Sequence, residues 1–313
     1  MMTIKCIDDV LNAGLPDRAP LGNLSVVENG DRMFGYVRLF NYKILFVHYF
    51  RTRPRPEALF ADFDKDFNII KVYRTRVKYP PELKEDIDPP YGPNGDLNTR
   101  HTPVLRRLED IRLFRKNDAL MFCSTFISTH KRSREHIALF MVGTIEISED
   151  DVIMNILYCS SSDESIQIHD WEKNWMPFLD DGPGLNFVYK VEKDSHTILH
   201  MDFDGSSIKP NSTLRTISHP SIEHDYRGGS PVVRFKDKYI CLVHRVEPVK
   251  RYTHRFLQFD ENFNLVGASQ EFKISQQPIE FSTCILPRGD GMRILLTVND
   301  IENYVVDCDM AMR

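Results

Sequence analysis

The chain lacks the features that mark several large classes of protein. Its 313 residues include only 15 glycines, 18 prolines and two tryptophans, which excludes a collagen-like or low-complexity chain. No stretch reaches the roughly 18 to 20 apolar residues that a membrane-spanning helix needs, so no membrane span is expected. The first 14 residues lack a basic region followed by an apolar core, and no signal peptide is therefore predicted.

Six cysteines are spread along the chain without a CxxC pair, which disfavours a zinc ribbon or a thioredoxin motif. Most of them lie inside apolar runs, where a reduced thiol packs as a small apolar side chain. We therefore expect a reducing, cytoplasmic location, and the histidine spacing fits no common zinc site. The net charge of −5 argues against nucleic acid as the main partner. The sequence leaves the oligomeric state open.

What the chain does contain is a recurring pattern of strand-length apolar runs. Hydrophobic residues make up 42% of the sequence, and helical periodicity is scarce. Five groups of such runs follow one another, and in four of them the third run ends in an aspartate at the same register. These aspartates are Asp64, Asp204, Asp260 and Asp309.

The repeat predicts an all-β fold, a five-bladed β-propeller, because one small sheet cannot bury both of its faces alone. The last group ends close to the C-terminus, so we expect Met2 to Ile7 to close the ring as its missing strand. Residues 1–313 are then a single propeller domain, and residues 79–100, rich in proline and acidic residues, are a long rim loop. A β-sandwich with coincidental internal similarity is the alternative.

A propeller brings the first strands of its blades to a central funnel, so candidate site residues should lie at the ends of these strands. The segment Glu109-Asp110-Ile111-Arg112 places two carboxylates and an arginine at the start of an apolar strand. A carboxylate in such a setting is suited to act as a general acid. The alternative is a solvated turn with a surface ion pair.

The segment from Trp171 to Phe178 contains both tryptophans of the chain. Tryptophan faces commonly stack on sugars, and Lys173 with Asn174 would bind hydroxyls or phosphate. Equally, Trp171 and Trp175 would serve as packing anchors between blades.

Two further segments contain cations. Arg227-Gly-Gly-Ser230 combines two donors with glycines that permit a close backbone approach, although turn glycines usually only make turns. The segment from His244 to Arg255 concentrates basic residues in an acidic chain, which suits a phosphate or sugar phosphate; a solvated loop is the alternative. Glu280 and Asp300 flank strands near the C-terminus, as sugar ligands or as ordinary turn residues.

Taken in order, these segments resemble glycoside hydrolase family 130, the inverting β-mannoside phosphorylases and their mannosyltransferase relatives. Glu109-Asp110-Ile111-Arg112 is similar to the family's Glu-Asp-Pro-Arg signature, with Ile111 in place of the proline. Glu172 to Asn174, Arg227 to Pro231, His244 and Asn299-Asp300 are placed as in that group.

The resemblance implies that Asp110 is the general acid of an inverting glycosyl transfer. It implies an anion site and a sugar site. The phosphate-binding candidates are Lys173, Arg227, His244, Arg251 and His254. The substrate-binding candidates are Arg51, Glu109, Arg112, Asn174, Trp175, Ser230, Tyr252, Glu280 and Asp300.

The predicted function is therefore inverting glycosyl transfer on a carbohydrate, by a glycoside phosphorylase or a β-mannosyltransferase-like enzyme. No cofactor is expected; phosphate, a sugar 1-phosphate or a sugar nucleotide is the co-substrate. The absence of an Asp-x-Asp motif near the site disfavours a metal-dependent transferase. Two alternatives stay open: an inverting hydrolase with Glu280 or Asp300 as base, and a non-catalytic propeller that binds glycans or proteins.

Overall fold

The computed structural model describes residues 2–13, 21–39, 42–45, 48–51, 57–79, 108–129, 136–160, 174–248 and 251–310. Within these ranges the chain is almost entirely β, which confirms the predicted fold class. The N-terminus forms strand β1 (Met2–Cys6) and the short helix α1 (Asp8–Ala13). Nearly all of the expected rim loop, residues 80–100, lies outside the described residues.

The described strands form five antiparallel units of four or five strands each, together with one two-stranded hairpin. The first contains β2 (Leu21–Asn29), β3 (Arg32–Leu39), β6 (Glu57–Phe63) and β7 (Ile69–Lys78), with the hairpin β4 (Tyr42–Leu45) and β5 (His48–Arg51) between β3 and β6. The second contains β8 (Leu108–Lys116), β9 (Ala119–Thr129), β10 (His136–Ile147) and β11 (Asp151–Cys159). Its outer strand β11 pairs in parallel with β7, so these two units form one eight-stranded sheet.

The other three units are separate sheets. The third contains β12 (Met176–Phe178), β13 (Leu185–Val191), β14 (Ser195–Phe203) and β15 (Ile208–Ser218). The fourth contains the short first strands β16 (Arg227–Gly228) and β17 (Val233–Phe235), then β18 (Lys238–Val246), β19 (Tyr252–Phe259) and β20 (Leu265–Ala268). The fifth contains β21 (Glu280–Arg288), β22 (Gly291–Val298), β23 (Glu302–Asp309) and β1, which pairs with β23 from Met2–Cys308 to Cys6–Tyr304.

The repeated aspartates have a structural role at the turn after the third strand. Asp64 accepts hydrogen bonds from the backbone of Asp66 and Asn68 and from the Asn68 amide. Asp260 accepts the equivalent three bonds from Asn262 and Asn264. An aspartate that satisfies the backbone of a tight turn in this way fixes where the strand ends. The repeat read from the sequence is therefore a repeat of turn chemistry.

The first strands of the five units converge on one cavity. It has a volume of about 480 Å³, and every unit contributes to its lining. The apolar members include Val26, Leu113, Leu179, Val233 and Leu286. The starting ends of several of these strands also lie close together: Asn23 of β2 contacts Asp110 of β8, and Thr283 of β21 contacts Leu24 of β2.

The first unit begins with the hairpin of β2 and β3. The two strands meet at a turn in which Gly30 has a φ of 66°. The pair Asn29-Gly30 between two apolar runs is a strong hairpin signal, and it was available in the sequence.

All six cysteines lie in the described part of the chain, and each is a free thiol. Five are buried, and burial raises the pKa of Cys123 and of Cys284 to about 12. Such thiols stay protonated and pack as apolar groups. Among the described residues, no helix is long and apolar enough to cross a membrane.

Candidate active site

The starting ends of the first strands carry irregular backbone. β2, β8 and β21 each contain a β-bulge at their second or third residue, near Asn23, Asp110 and Thr283. Asn23 and Asp110 have φ values of 52° and 54°, and Asn174, just before β12, has a φ of 67°. Asparagine and aspartate tolerate this left-handed conformation better than most residues do. Bulges of this kind redirect side chains, and here they bring groups from different units into contact.

Asp110 and Glu109 are held by neighbours from the first unit. The amide nitrogen of Asn23 donates to Asp110 Oδ1 at 2.8 Å. Arg38 Nη2 forms an ion pair with Glu109 Oε1 at 3.0 Å. Both carboxylates are partly exposed. Glu109 thus forms an ion pair with an arginine, and Asp110 accepts a hydrogen bond from the neutral amide of Asn23.

Arg112 is fully buried next to these residues and forms hydrogen bonds with three of the units. Its guanidinium donates to the main-chain oxygens of Asp110 and Gly229, and to Asn174 Oδ1 at 3.2 Å. It also lies over the Phe281 ring at 5.9 Å from the centroid. Burial lowers the pKa of Arg112, while the neighbouring Cys123 and Asp110 act to raise it. Arg112 therefore organises the backbone of the site and has no open face for a ligand.

The cations of the fourth unit lie beside this centre. Arg227 is exposed and pairs through its backbone with His244. His244 is 3% exposed and stacks on Tyr252. Its pKa is held well below its ordinary value by burial, and then by His254, Arg112 and Arg227. His244 is therefore neutral at pH 7 and offers an anion a hydrogen bond but no charge.

A cleft of about 620 Å³ opens next to these residues. Its lining includes Asn174, Gly228 and Arg227, and it extends to Tyr189 and Lys190 of β13. Gly228 is required at this point, because a Cβ atom there would lie 1.9 Å from the main-chain oxygen of Asn174. The cleft is large enough for a sugar and its phosphate.

Several residues predicted from the sequence have other roles. Trp175 is 1% exposed and packs against Phe140, with ring centroids 4.0 Å apart. Ser230 is buried, and its hydroxyl accepts from Leu242 N and donates to Pro231 O. The structure thus corrects the expectation that these two residues contact substrate: the tryptophan is the packing anchor, and the serine fixes a turn.

Glu280 and His254 also differ from the expectation. Glu280 is fully buried and accepts hydrogen bonds from the backbone of Ile274 and from Ser275. His254 Nε2 lies 3.3 Å from Glu280 Oε2. Burial acts to raise the pKa of Glu280, but the bonds from His254 and Ser275 outweigh it, and the pKa is lowered. The two side chains are buried in contact with each other, so neither is accessible to sugar or phosphate.

The basic segment of the fourth unit is largely neutralised. Arg245 pairs with Glu271 at 2.9 Å, and this contact lowers the pKa of Glu271 to about 2. Arg255 pairs with Glu223 at 3.2 Å. Arg251 is exposed in the turn between β18 and β19. Within the described part of this segment, it is the arginine that has no ion pair with a described acid.

The remaining predicted site residues lie either in turns at the same end of the units or outside the described residues. Asp300, with a φ of 61°, is in the turn between β22 and β23, at the same end of its unit as Glu280. Lys173 and the side chain of Arg51 lie outside the described residues. Asn23 and Arg38 were missed as site residues, and the only sequence signal was their place in the first unit. Across the described residues, no cluster of three or more histidine, cysteine or acidic side chains is arranged to hold a metal ion.

No protein-family profile matches the chain, and no curated protein matches it either. Solved structures do. A glycosyl hydrolase from Bacteroides ovatus is 11% identical with a TM-score of 0.60, over 95% of this chain and 86% of that one. The β-1,2-mannobiose phosphorylase from Listeria innocua is 10% identical with a TM-score of 0.52, over 99% and 97%.

A third similar structure is a GH43 β-1,3-galactosidase in complex with galactodeoxynojirimycin. It is 8% identical with a TM-score of 0.54, over 92% of this chain and 90% of that one. At such low identity the likeness concerns the fold alone. The chain therefore shares an all-β, propeller-type fold with these proteins.

Proposed function

We propose that the chain is a carbohydrate-active enzyme, folded as a single five-bladed β-propeller that β1 closes. In this proposal Asp110 is the general acid of an inverting glycosyl transfer. The observation that carries it is the setting of Asp110: a partly exposed residue near the start of β8, held by Asn23 and adjacent to the buried Arg112. The similar structures, two glycosidases and one phosphorylase, support the class of substrate.

In the proposed reaction Asp110 protonates the oxygen that leaves the anomeric carbon. The attacking group approaches from the opposite face of the sugar ring, so the configuration inverts. When that group is phosphate, no second protein carboxylate is needed. Arg227, His244 and Arg251 are the proposed partners of the phosphate, together with Lys173, and the cleft beside Asn174 holds the sugar. No cofactor takes part.

The arrangement of carboxylates favours phosphate or a sugar phosphate over water. A hydrolase needs a second carboxylate to act as base, and two of the nearby acids are engaged. Glu280 is buried in its bonds with Ser275 and His254, and Glu109 pairs with Arg38. Asp300 is the other acid that the sequence analysis named as a base for hydrolysis.

The test is product analysis with a panel of sugar 1-phosphates and nucleotide sugars, each offered with a panel of sugar acceptors. We expect release of phosphate from one sugar 1-phosphate and formation of an inverted glycoside. In the reverse direction, cleavage of that product should depend on added phosphate. Cleavage at an equal rate without phosphate would show a hydrolase, and glycan binding without any turnover would show a binding protein.

A further inference from the structure

A chain of hydrogen bonds connects Asp110 with the N-terminal helix. Asn23, whose side chain donates to Asp110, donates its backbone N–H to Thr297 Oγ1 at 2.7 Å. Thr297 Oγ1 in turn donates to Asn303 Oδ1 at 3.2 Å. Asn303 donates from its backbone and its amide to Asp8 Oδ1, both at 2.9 Å. The chain runs through β2, β22, β23 and α1, so it spans the first and last units.

The three central members of this chain are buried. Asn23 is 4% exposed, Thr297 2% and Asn303 1%. Hydrogen bonds in such a setting are not exchanged for bonds with water, and they hold each side chain in one orientation. Asn303 Nδ2 also donates to the main-chain oxygen of Leu21, the first residue of β2. Asn23 is therefore fixed through its own backbone and through the start of its strand.

The side chain of Asn23 has one hydrogen bond among the described residues, and that bond is to Asp110. Its amide oxygen is buried and accepts no bond from a described residue. An asparagine with a purely structural role would use both ends of its amide. The φ of 52° favours asparagine, aspartate or glycine at this position, but it does not require the bond from the amide to Asp110.

We propose that Asn23 is a positioning residue for Asp110, which rests on the proposed role of Asp110 as general acid. The amide N–H of Asn23 donates to Asp110 Oδ1, so the proton that the acid delivers is held on Oδ2. The same bond stabilises the carboxylate form and so sets the pKa of Asp110 lower than it would otherwise be. Asn23 thereby fixes both the direction and the strength of the acid.

Several charged and titratable groups of the described residues lie near Asp110. Glu109 and Arg112 share β8 with it, and Tyr36 and Arg38 face it from β3. None of these is bonded to Asn23 through a contact described here. A substitution of Asn23 therefore removes one hydrogen bond to Asp110 and leaves these charged groups in place.

The decisive variant is Asn23→Gly, because glycine accepts the φ of 52° that an alanine would not. The readout is the titration of Asp110 in the whole protein, followed by carbon-13 NMR of labelled aspartate and assigned with Asp110→Asn. A carboxylate loses about one pKa unit for each strong hydrogen bond it accepts. We expect the Asp110 titration to move upward by about one pH unit in Asn23→Gly.

A second variant, Asn23→Asp, keeps the size and backbone preference of residue 23. It places another carboxyl beside Asp110, and two such groups do not ionise independently. One titration of the pair should therefore lie well above that of Asp110 in the unmodified protein. This variant answers the question if Asn23→Gly does not fold.

The matched control is Asn186→Ala. Asn186 is also buried, and it donates to Asp180 Oδ2 at the same distance of 2.8 Å, away from Asp110. This variant should leave the Asp110 titration unmoved. An Asp110 titration that is the same in folded Asn23→Gly or in Asn23→Asp as in the unmodified protein would overturn the proposal.

The titration needs no turnover, so it separates this proposal from the proposed function. If the protein transfers no sugar and the titration still moves, Asn23 controls Asp110 but the reaction is another one. If the protein is active, the fall of kcat/KM at high pH should move in the same direction as the titration.

Discussion

Two aspartates at opposite ends of the units' first strands have similar partners and different surroundings: Asp110 is near the start of β8, and Asp180 follows the end of β12. Asp110 and Asp180 each accept from an asparagine amide at 2.8 Å. Asp180, which lines the cavity between the units, also pairs with Lys116 at 2.7 Å, and that lysine side chain is 3% exposed. Arg112, beside Asp110, donates instead to the main-chain oxygen of Asp110.

The difference shows what separates a structural carboxylate from a candidate catalytic one. Lys116 is buried beside Asp180, and breaking such a pair leaves an uncompensated buried charge. At the other end Arg112 holds the backbone, and the side chain of Asp110 is partly exposed. Substitutions at the two ends should therefore affect different properties.

The largest effect is expected for Asp110→Asn. Loss of a general acid typically lowers the rate by about 10²- to 10⁴-fold, while the amide keeps the size of the side chain. We expect kcat to fall by about that factor, with the binding of a sugar phosphate and the melting temperature little changed. Kinetics, calorimetric titration and thermal unfolding measure the three quantities, and a variant that retains the full rate would remove Asp110 from the mechanism.

At the opposite end, Asp180→Asn should affect stability. It leaves Lys116 buried without its counter-charge, which typically costs about 3–5 kcal/mol of unfolding free energy. Urea unfolding measures the loss. The double variant Lys116→Met with Asp180→Asn should recover much of it, because no charge is then left buried. A loss below about 1 kcal/mol would mean that water reaches the pair and that the two ends differ less than the structure indicates.

Substitution of one glycine near each aspartate tests the same two regions at the level of the backbone. In Gly228→Ala the new Cβ would meet the main-chain oxygen of Asn174, so the strands must separate, at a cost of about 1–3 kcal/mol. The shift lies at the cleft, so weaker binding of sugar phosphate should accompany it. Gly182→Ala is the control near Asp180, since its nearest neighbour would be 3.6 Å away. Equal behaviour of the two variants would contradict the tight approach at Gly228.

The smallest effect is expected in the dependence of stability on pH. The pKa of His244 is depressed in the folded protein, so below about pH 6.5 the unfolded state takes up a proton that the native state does not. Stability then falls as the pH falls, by about 1.4 kcal/mol per pH unit for this one group.

Removing the imidazole should remove this slope. In His244→Gln, the loss of unfolding free energy between pH 6.5 and 5.5 should be smaller than in the unmodified protein by about 1 kcal/mol, because the unfolded imidazole is only half protonated at the start of this interval. Urea unfolding at both pH values measures it, and His224→Gln, which changes an exposed histidine, is the control. An unchanged slope in His244→Gln would mean that His244 is charged in the folded protein.

Much of the fold followed from local chemistry. Strand-length apolar runs predicted the all-β class, and the repeated aspartates marked real turns, since Asp64 and Asp260 bind the backbone that follows them. The placement of Glu109 and Asp110 at the start of a first strand also followed from the repeat. These are properties of short segments, and a sequence displays them directly.

The residues that contact Glu109 and Asp110 could not be predicted from the sequence. Asn23 reaches Asp110 across 87 positions of the chain and Arg38 reaches Glu109 across 71, and nothing local announces either contact. Trp175 and Glu280 read as sugar ligands because their residue types suit that role. In the structure both side chains are buried against neighbouring sheets, so neither has a surface that a ligand could contact.

The sequence by itself determined the repeating strands, the turns that end them and the position of an acidic pair at the start of one strand. Only the tertiary structure decided that Glu109 pairs with Arg38, that Glu280 lies in a buried cluster and that Asp110 accepts from Asn23 while partly exposed. The reason is physical: strand formation and turn chemistry depend on neighbours along the chain, whereas ionisation and access depend on neighbours in space, which come from distant parts of the chain.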